Sequence, residues 1–127
     1  MKVLALDFGS ARTGVAISDP TGVVARPLGV VRRADIDEIV TIARDQHVEE
    51  IVVGHPLTLR GERGEQAKAA ERFAKALRAA VDVPVVLFDE RFTTDLAEQT
   101  PSSVPEDARA AAHLLSSYLE WSGSSRQ

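Results

Sequence analysis

Apolar and polar positions along this chain follow two different spacings, and the changes between them mark out its elements. Residues 2–8 are almost continuously apolar (Val3-Leu4-Ala5-Leu6-Asp7-Phe8) and read as a strand. Gly9 to Gly14 reads as a turn, residues 14–18 as a second strand, and Asp19-Pro20-Thr21-Gly22 has hairpin-turn composition. A third strand over 23–31 is interrupted near Pro27, because proline cannot donate to a strand ladder. Three strands joined by tight turns make an antiparallel meander.

The period then becomes helical. Asp35 and Glu38 stand at capping-box spacing, and Ile36, Ile39, Val40 and Ala43 fall on one helical face. Glu50 to Val53 is a short strand ending in Gly54-His55-Pro56, and residues 57–64 form an exposed loop with two glycines and two arginines. A helix is predicted over 65–80, with Gln66, Ala69, Ala70, Phe73 and Leu77 inward and a Glu71–Lys75 pair outside. Pro84 starts the strand 85–88, which ends in Asp89-Glu90-Arg91. The last helix begins at Ser103-Val104-Pro105-Glu106, with an apolar stripe of Ala108, Ala111, Ala112, Leu115, Tyr118 and Leu119. The order βββαβαβα is α/β: a mixed five-stranded sheet in which the meander continues into parallel strands, with helices on both faces.

Composition narrows the class. The 127 residues suit one domain, taken as 1–122, with a small, polar, frayed tail over 123–127. Without cysteine there is neither a disulfide nor a thiolate metal site. The first apolar run meets Asp7 too soon for a signal peptide, and no run approaches membrane-spanning length. A cytoplasmic protein with no membrane partner is therefore expected. Net charge is −4, which does not favour a nucleic-acid partner, although arginine supplies all the cationic residues except Lys2, Lys68 and Lys75.

The chemistry gathers around carboxylates. Asp7, between Leu6 and Phe8, is costly to bury without compensation. In a parallel sheet the ligand site lies beyond the carboxyl ends of the strands, where Asp7, Gly54 and Asp89-Glu90 all stand. Asp107 sits in the first turn of the last helix, where it either joins them or complements the helix dipole. Such a cluster suits Mg²⁺ or Mn²⁺, and two ions can activate a water and stabilise the leaving oxygen of a phosphodiester. Adjacent strand residues point to opposite faces, so only one of Asp89 and Glu90 aims into the site, the other being free to pair with Arg91. His55 has no second histidine at ligand spacing and reads as a hydrogen-bonded loop residue, whereas His47 and His113 fall on helical patterns with no evident partner in the sequence. Motifs for a P-loop, a dinucleotide fold, a zinc protease and a serine hydrolase are all missing.

Four motifs occur in order: Asp7-x-Gly9-x-x-Arg12-x-Gly14-x-Ala16; Gly54-x-Pro56 followed by Gly61; Asp89-Glu90-Arg91-Phe92-Thr93-Thr94; and Asp107-x-x-Ala110-Ala111. Together they resemble the YqgF family, also called RuvX, of bacterial ribonuclease H-like proteins, over essentially the whole chain. The resemblance implies an RNase H-like fold and a metal-dependent nuclease that trims the 5′ end of pre-16S ribosomal RNA within pre-ribosomal particles. An alternative activity is resolution of Holliday junctions in branched DNA. Carried over by position, Asp7, Glu90 and Asp107 become the catalytic, metal-binding carboxylates, while Arg12, His55, Arg91 and Thr93 line the substrate side. Family members carry a lysine- and arginine-rich loop before the last aspartate; here the segment from Asp95 to Glu106 holds no basic residue. Arg60 and Arg63 are the candidates to take over its phosphate contacts.

Two other classes compete. Sugar kinases, heat-shock ATPases and actins also open with a strand-borne Asp-x-Gly turn, but their two lobes are each larger than this chain. A binding module for RNA or the ribosome, with a decayed acidic site, would keep the fold without cleavage.

Overall fold

A computed structural model describes residues 1–9, 11–92 and 106–125. Five strands form one mixed sheet: β1 (Val3–Phe8), β2 (Arg12–Ser18), β3 (Ala25–Arg32), β4 (Glu50–His55) and β5 (Val85–Asp89). Their spatial order is β3-β2-β1-β4-β5, with β1–β2 and β2–β3 antiparallel and β1–β4 and β4–β5 parallel. β1 is thus central, which matches its almost continuous apolar run.

The meander is pinned by local chemistry. Asp19 accepts from the backbone N–H groups of Val23 and Val24, both at 2.8 Å, and Gly22 turns the chain at a φ of +75°. β2 starts at Arg12, two residues before the expected position, because Thr13 pairs with Phe8. On the edge strand, Gly29 pairs with Val15 and Pro27 with Ala16, which leaves Leu28 as the extra residue of a bulge. Pro27 is tolerated there because edge strands and bulges do not require its N–H.

Two layers cover the sheet. On one face lie α1 (Ile36–Asp45) and α2 (Glu65–Ala80), packed over Leu4, Leu6, Val15, Ile17, Ile51 and Val53. On the other lies α3 (Glu106–Ser125), over Val3, Ala5, Ala16, Val52 and Phe88. The expected cap is present, with Glu38 N donating to Asp35 Oδ1 at 3.1 Å.

Three helical expectations need correction. α2 buries Ala67, Ala70, Phe73, Ala74 and Leu77, whereas Gln66 is exposed and Ala69 half-buried. This phase puts an alanine rather than an unpartnered amide against the core. Nor does Glu71 pair with Lys75; its partners are Arg63 and His55. α3 continues through Gly123 to Ser125, beyond where a tail was expected to start. The expected start of this helix at Ser103 lies outside the described residues. Among the described residues, no helix is long and apolar enough to cross a membrane.

Candidate active site

Alternation along the strands divides the functional side chains between two faces. Val3 and Ala5 pack under α3, so Asp7 shares their face; Leu4 and Leu6 pack under α1 and α2, as does Phe8. Asp7 pairs with Gly14 across the β1–β2 ladder. A Cβ at Gly14 would overlap the carbonyl oxygen of Asp107 and come within 3.2 Å of Ala108 N. The first turn of α3 therefore rests on bare backbone, and this contact brings Asp107 to the Asp7 end of the sheet.

A second glycine does similar work on the opposite side of β1. Leu6 pairs with Val53 in the parallel ladder, and Asp7 and Gly54 come next on their strands. A Cβ at Gly54 would overlap Glu90 Oε1 and stand 3.1 Å from its Cδ. Glu90 opens a 3₁₀ turn, Glu90–Phe92, and lays its carboxyl group across Gly54 to hydrogen-bond Asp7. Asp89 faces the other way: Arg91 N and Nε donate to its Oδ1 at 2.9 and 3.1 Å. Of the two adjacent carboxylates, Glu90 is thus the one beside Asp7.

Burial and the neighbouring carboxylates set the electrostatics. Desolvation raises the pKa of Asp7; the charge of Asp107 adds to this and the hydrogen bond with Glu90 opposes it. Glu90 is pushed up to about 7, first by burial and then by the charge of Asp7. The pair accordingly holds a proton near neutrality. Arg12 Nη2 lies 2.9 Å from Asp107 Oδ2, and both side chains are substantially exposed, at 57% and 39%. Among the described residues, no three carboxylate or imidazole groups are gathered tightly enough to cage a metal ion. Asp7 and Glu90 are engaged with each other, and Asp107 with Arg12. The donor chemistry still fits a hard divalent cation, whose charge would offset the burial, and secondarily the carboxylate repulsion, that raise both pKa values.

The other expected site residues lie elsewhere or have partners. His55 shares the face of Ile51 and Val53, away from Asp7, and its Nε2 donates to Glu71 Oε2 at 2.7 Å. Arg63 Nε donates to the same oxygen at 2.8 Å, with a further bond from Arg63 Nη2 to Glu71 Oε1. Arg63 lowers the Glu71 pKa to about 2, with a smaller contribution from His55. Arg91, besides holding Asp89, reaches Leu59 O at 3.4 Å and packs on Gly61, whose φ is +82°. Together Glu71 and Arg91 strap the 56–64 loop to the sheet. Arg60 is exposed on that loop, and Thr93 lies outside the described residues. Sequence reasoning missed Glu71 as the hub because sixteen residues and a loop separate it from His55.

A sheet of this order, with carboxylates at the end of its central strand, is an RNase H-like fold. T. thermophilus RuvC, solved in complex with a Holliday junction substrate, shares that fold: TM-score 0.69 at 16% identity, over 98% of this chain and 96% of RuvC. A family model described as RuvX, Holliday junction resolvase, matches residues 1–121. A relative from Chloroflexus aurantiacus, named "Putative pre-16S rRNA nuclease", is 41% identical over 93% of this chain and 86% of its own length. A relative of the same name from Syntrophus aciditrophicus is 40% identical over 94% of this chain and 89% of its own. The chain belongs to the RuvX family.

Proposed function

We propose that this protein is a divalent-cation-dependent nuclease that hydrolyses phosphodiester bonds and acts on precursor 16S ribosomal RNA. The observation that carries the reading is the placement of Asp7, Glu90 and Asp107 at one end of the sheet, with α3 seated on the bare backbone of Gly14 and Glu90 lying across Gly54. The substrate class follows the name shared by the relatives at about 40% identity. Such a nuclease meets its substrate in pre-ribosomal particles in the cytoplasm.

Asp7, Glu90 and Asp107 would hold Mg²⁺ or Mn²⁺, as a pair of ions, which when bound supply Lewis acidity at the attacking and leaving oxygens. The chain's own residues do the rest. Glu90 gives up its proton near neutral pH, which frees both members of the Asp7–Glu90 pair to act as oxygen ligands. Arg12 holds Asp107 in place and keeps exposed guanidinium surface for a substrate phosphate. Water is the nucleophile: it adds at phosphorus as one ester P–O bond breaks, with no covalent enzyme intermediate.

Resolution of Holliday junctions is the second reading, favoured by the description of the matching family. One experiment separates the readings. End-labelled single-stranded RNA and a four-way DNA junction are incubated with Mn²⁺, Mg²⁺ or EDTA, beside Asp7→Asn. Metal-dependent cutting of RNA that is lost in Asp7→Asn supports RNA processing. Cutting of the junction alone moves the substrate to branched DNA. Nucleic-acid binding that is indifferent to EDTA, without cutting, identifies a binding module.

A further inference from the structure

We propose that the cleft between the end of β1 and the first turns of α2 is a second backbone-phosphate site, built by Arg33 and Arg72. It would take a phosphate neighbouring the one at the carboxylates. This rests on the nuclease reading and adds to it a position for the substrate strand.

The placement follows from the alternation of β1. Asp7 faces α3, and the next residue, Phe8, faces α2, so one strand end presents chemistry on both sides of the sheet. On the α2 side a cleft of about 250 Å³ is lined by Phe8, Gly9, Arg33, Glu65, Gln66, Ala69 and Arg72. That volume is below the roughly 300 Å³ of a small-molecule pocket, and suits a phosphate and part of its sugar.

Arg33 is held in position. Its guanidinium lies 4.5 Å from the centroid of the Phe8 ring, and its Nε donates to Gly9 O at 3.0 Å. Phe8 is itself stacked on Phe73 of α2, with centroids 4.6 Å apart. The Nη atoms of Arg33 have no partner among the described residues, and Arg72 forms no ion pair there. The acid at this cleft, Glu65, is 90% exposed and stands 3.9 Å from Lys68. Two guanidinium groups from separate elements, one locked by stacking, make a fork for a dianionic or diester phosphate.

A neighbouring feature points the same way. Arg12 and Arg32 are directly opposed across the β2–β3 ladder at this end of the sheet. Asp107 already offsets the charge of Arg12, and an anionic strand lying across the pair would offset that of Arg32. A strand with one phosphate at Asp7 and the next over Phe8 and Gly9 would cross the end of β1 from one face to the other.

The test is binding of a fluorescein-labelled single-stranded RNA decamer in EDTA, read by anisotropy across a salt series, for the wild type, Arg72→Gln and the Arg33→Gln/Arg72→Gln double variant. Arg44→Gln, in the last turn of α1, is the control. The double variant is expected to bind about ten-fold more weakly. Its log–log salt slope should be smaller by about 0.7 for the lost phosphate contact, and in cleavage KM should rise with kcat retained. Arg72→Gln removes a side chain with no ion-pair partner among the described residues, so its effect is separate from any loosening at Phe8. Wild-type affinity and salt slope in both variants would overturn the site, as would weaker binding at an unchanged slope. Failure of the wild type to bind or cut any nucleic acid would instead overturn the nuclease reading.

Discussion

The backbone of Asp107 rests on Gly14, the residue paired with Asp7, so one close contact sets both the seat of α3 and the spacing of two carboxylates. The neighbouring atoms are main-chain and cannot swing aside. Gly14→Ala should therefore lift α3 and destabilise the protein by about 2–3 kcal/mol, as overpacking does. Urea unfolding measures this directly; a midpoint equal to wild type would show that α3 does not sit there.

Gly54→Ala makes the contrasting case. The added methyl meets the end of a flexible side chain, Glu90, which can rotate away. Stability should change by about 1 kcal/mol or less, while cleavage falls by about 10²-fold because Glu90 no longer reaches Asp7. Loss of fold together with activity would refute the distinction between the two glycines.

The raised carboxyl pair makes stability depend on pH. The folded pKa of Glu90, about 7, lies above its ordinary value of 4.5, so the folded state binds more protons in between. Its contribution is complete below about pH 4.5 and is lost as pH rises through about 7. The metal-free protein should accordingly lose about 1–2 kcal/mol between pH 5 and 8, after allowance for partial exposure. Glu90→Gln should flatten that dependence. Adding Mg²⁺ or Mn²⁺ at pH 8 should raise the Tm of the wild type and not of Asp7→Asn. Thermal melts across pH, with and without the ion, check each of these.

Glu71 ties the 56–64 loop to α2 through Arg63 and holds His55 at the end of β4. Glu71→Ala should release the loop, so that trypsin cuts after Arg60 and Arg63 several-fold faster under native conditions. With its pKa lowered from 4.5 to about 2, Glu71 contributes stability above about pH 4.5 that is lost as pH falls through about 2. Digestion at an unchanged rate would mean the loop is held by Arg91 alone.

The elements of this protein could be read from local signals. The limits of α2, the Asp35 cap, the Asp19 turn and the edge-strand irregularity at Pro27 all depend on residues within a few positions of one another. The placement of Asp7 at the end of a buried strand was legible for the same reason. The tertiary structure decided what those elements bring together. It chose Glu90 over Asp89 as the neighbour of Asp7, turned His55 to the face of α2, and gave Glu71 the partners Arg63 and His55 rather than Lys75. It also revealed Gly14 and Gly54 as the points where α3 and Glu90 touch bare backbone. Periodicity and capping act over a turn or a pleat, whereas these contacts join residues of separate elements. Strand order, register and the layer each helix occupies determine them, and none of these is written in any one segment.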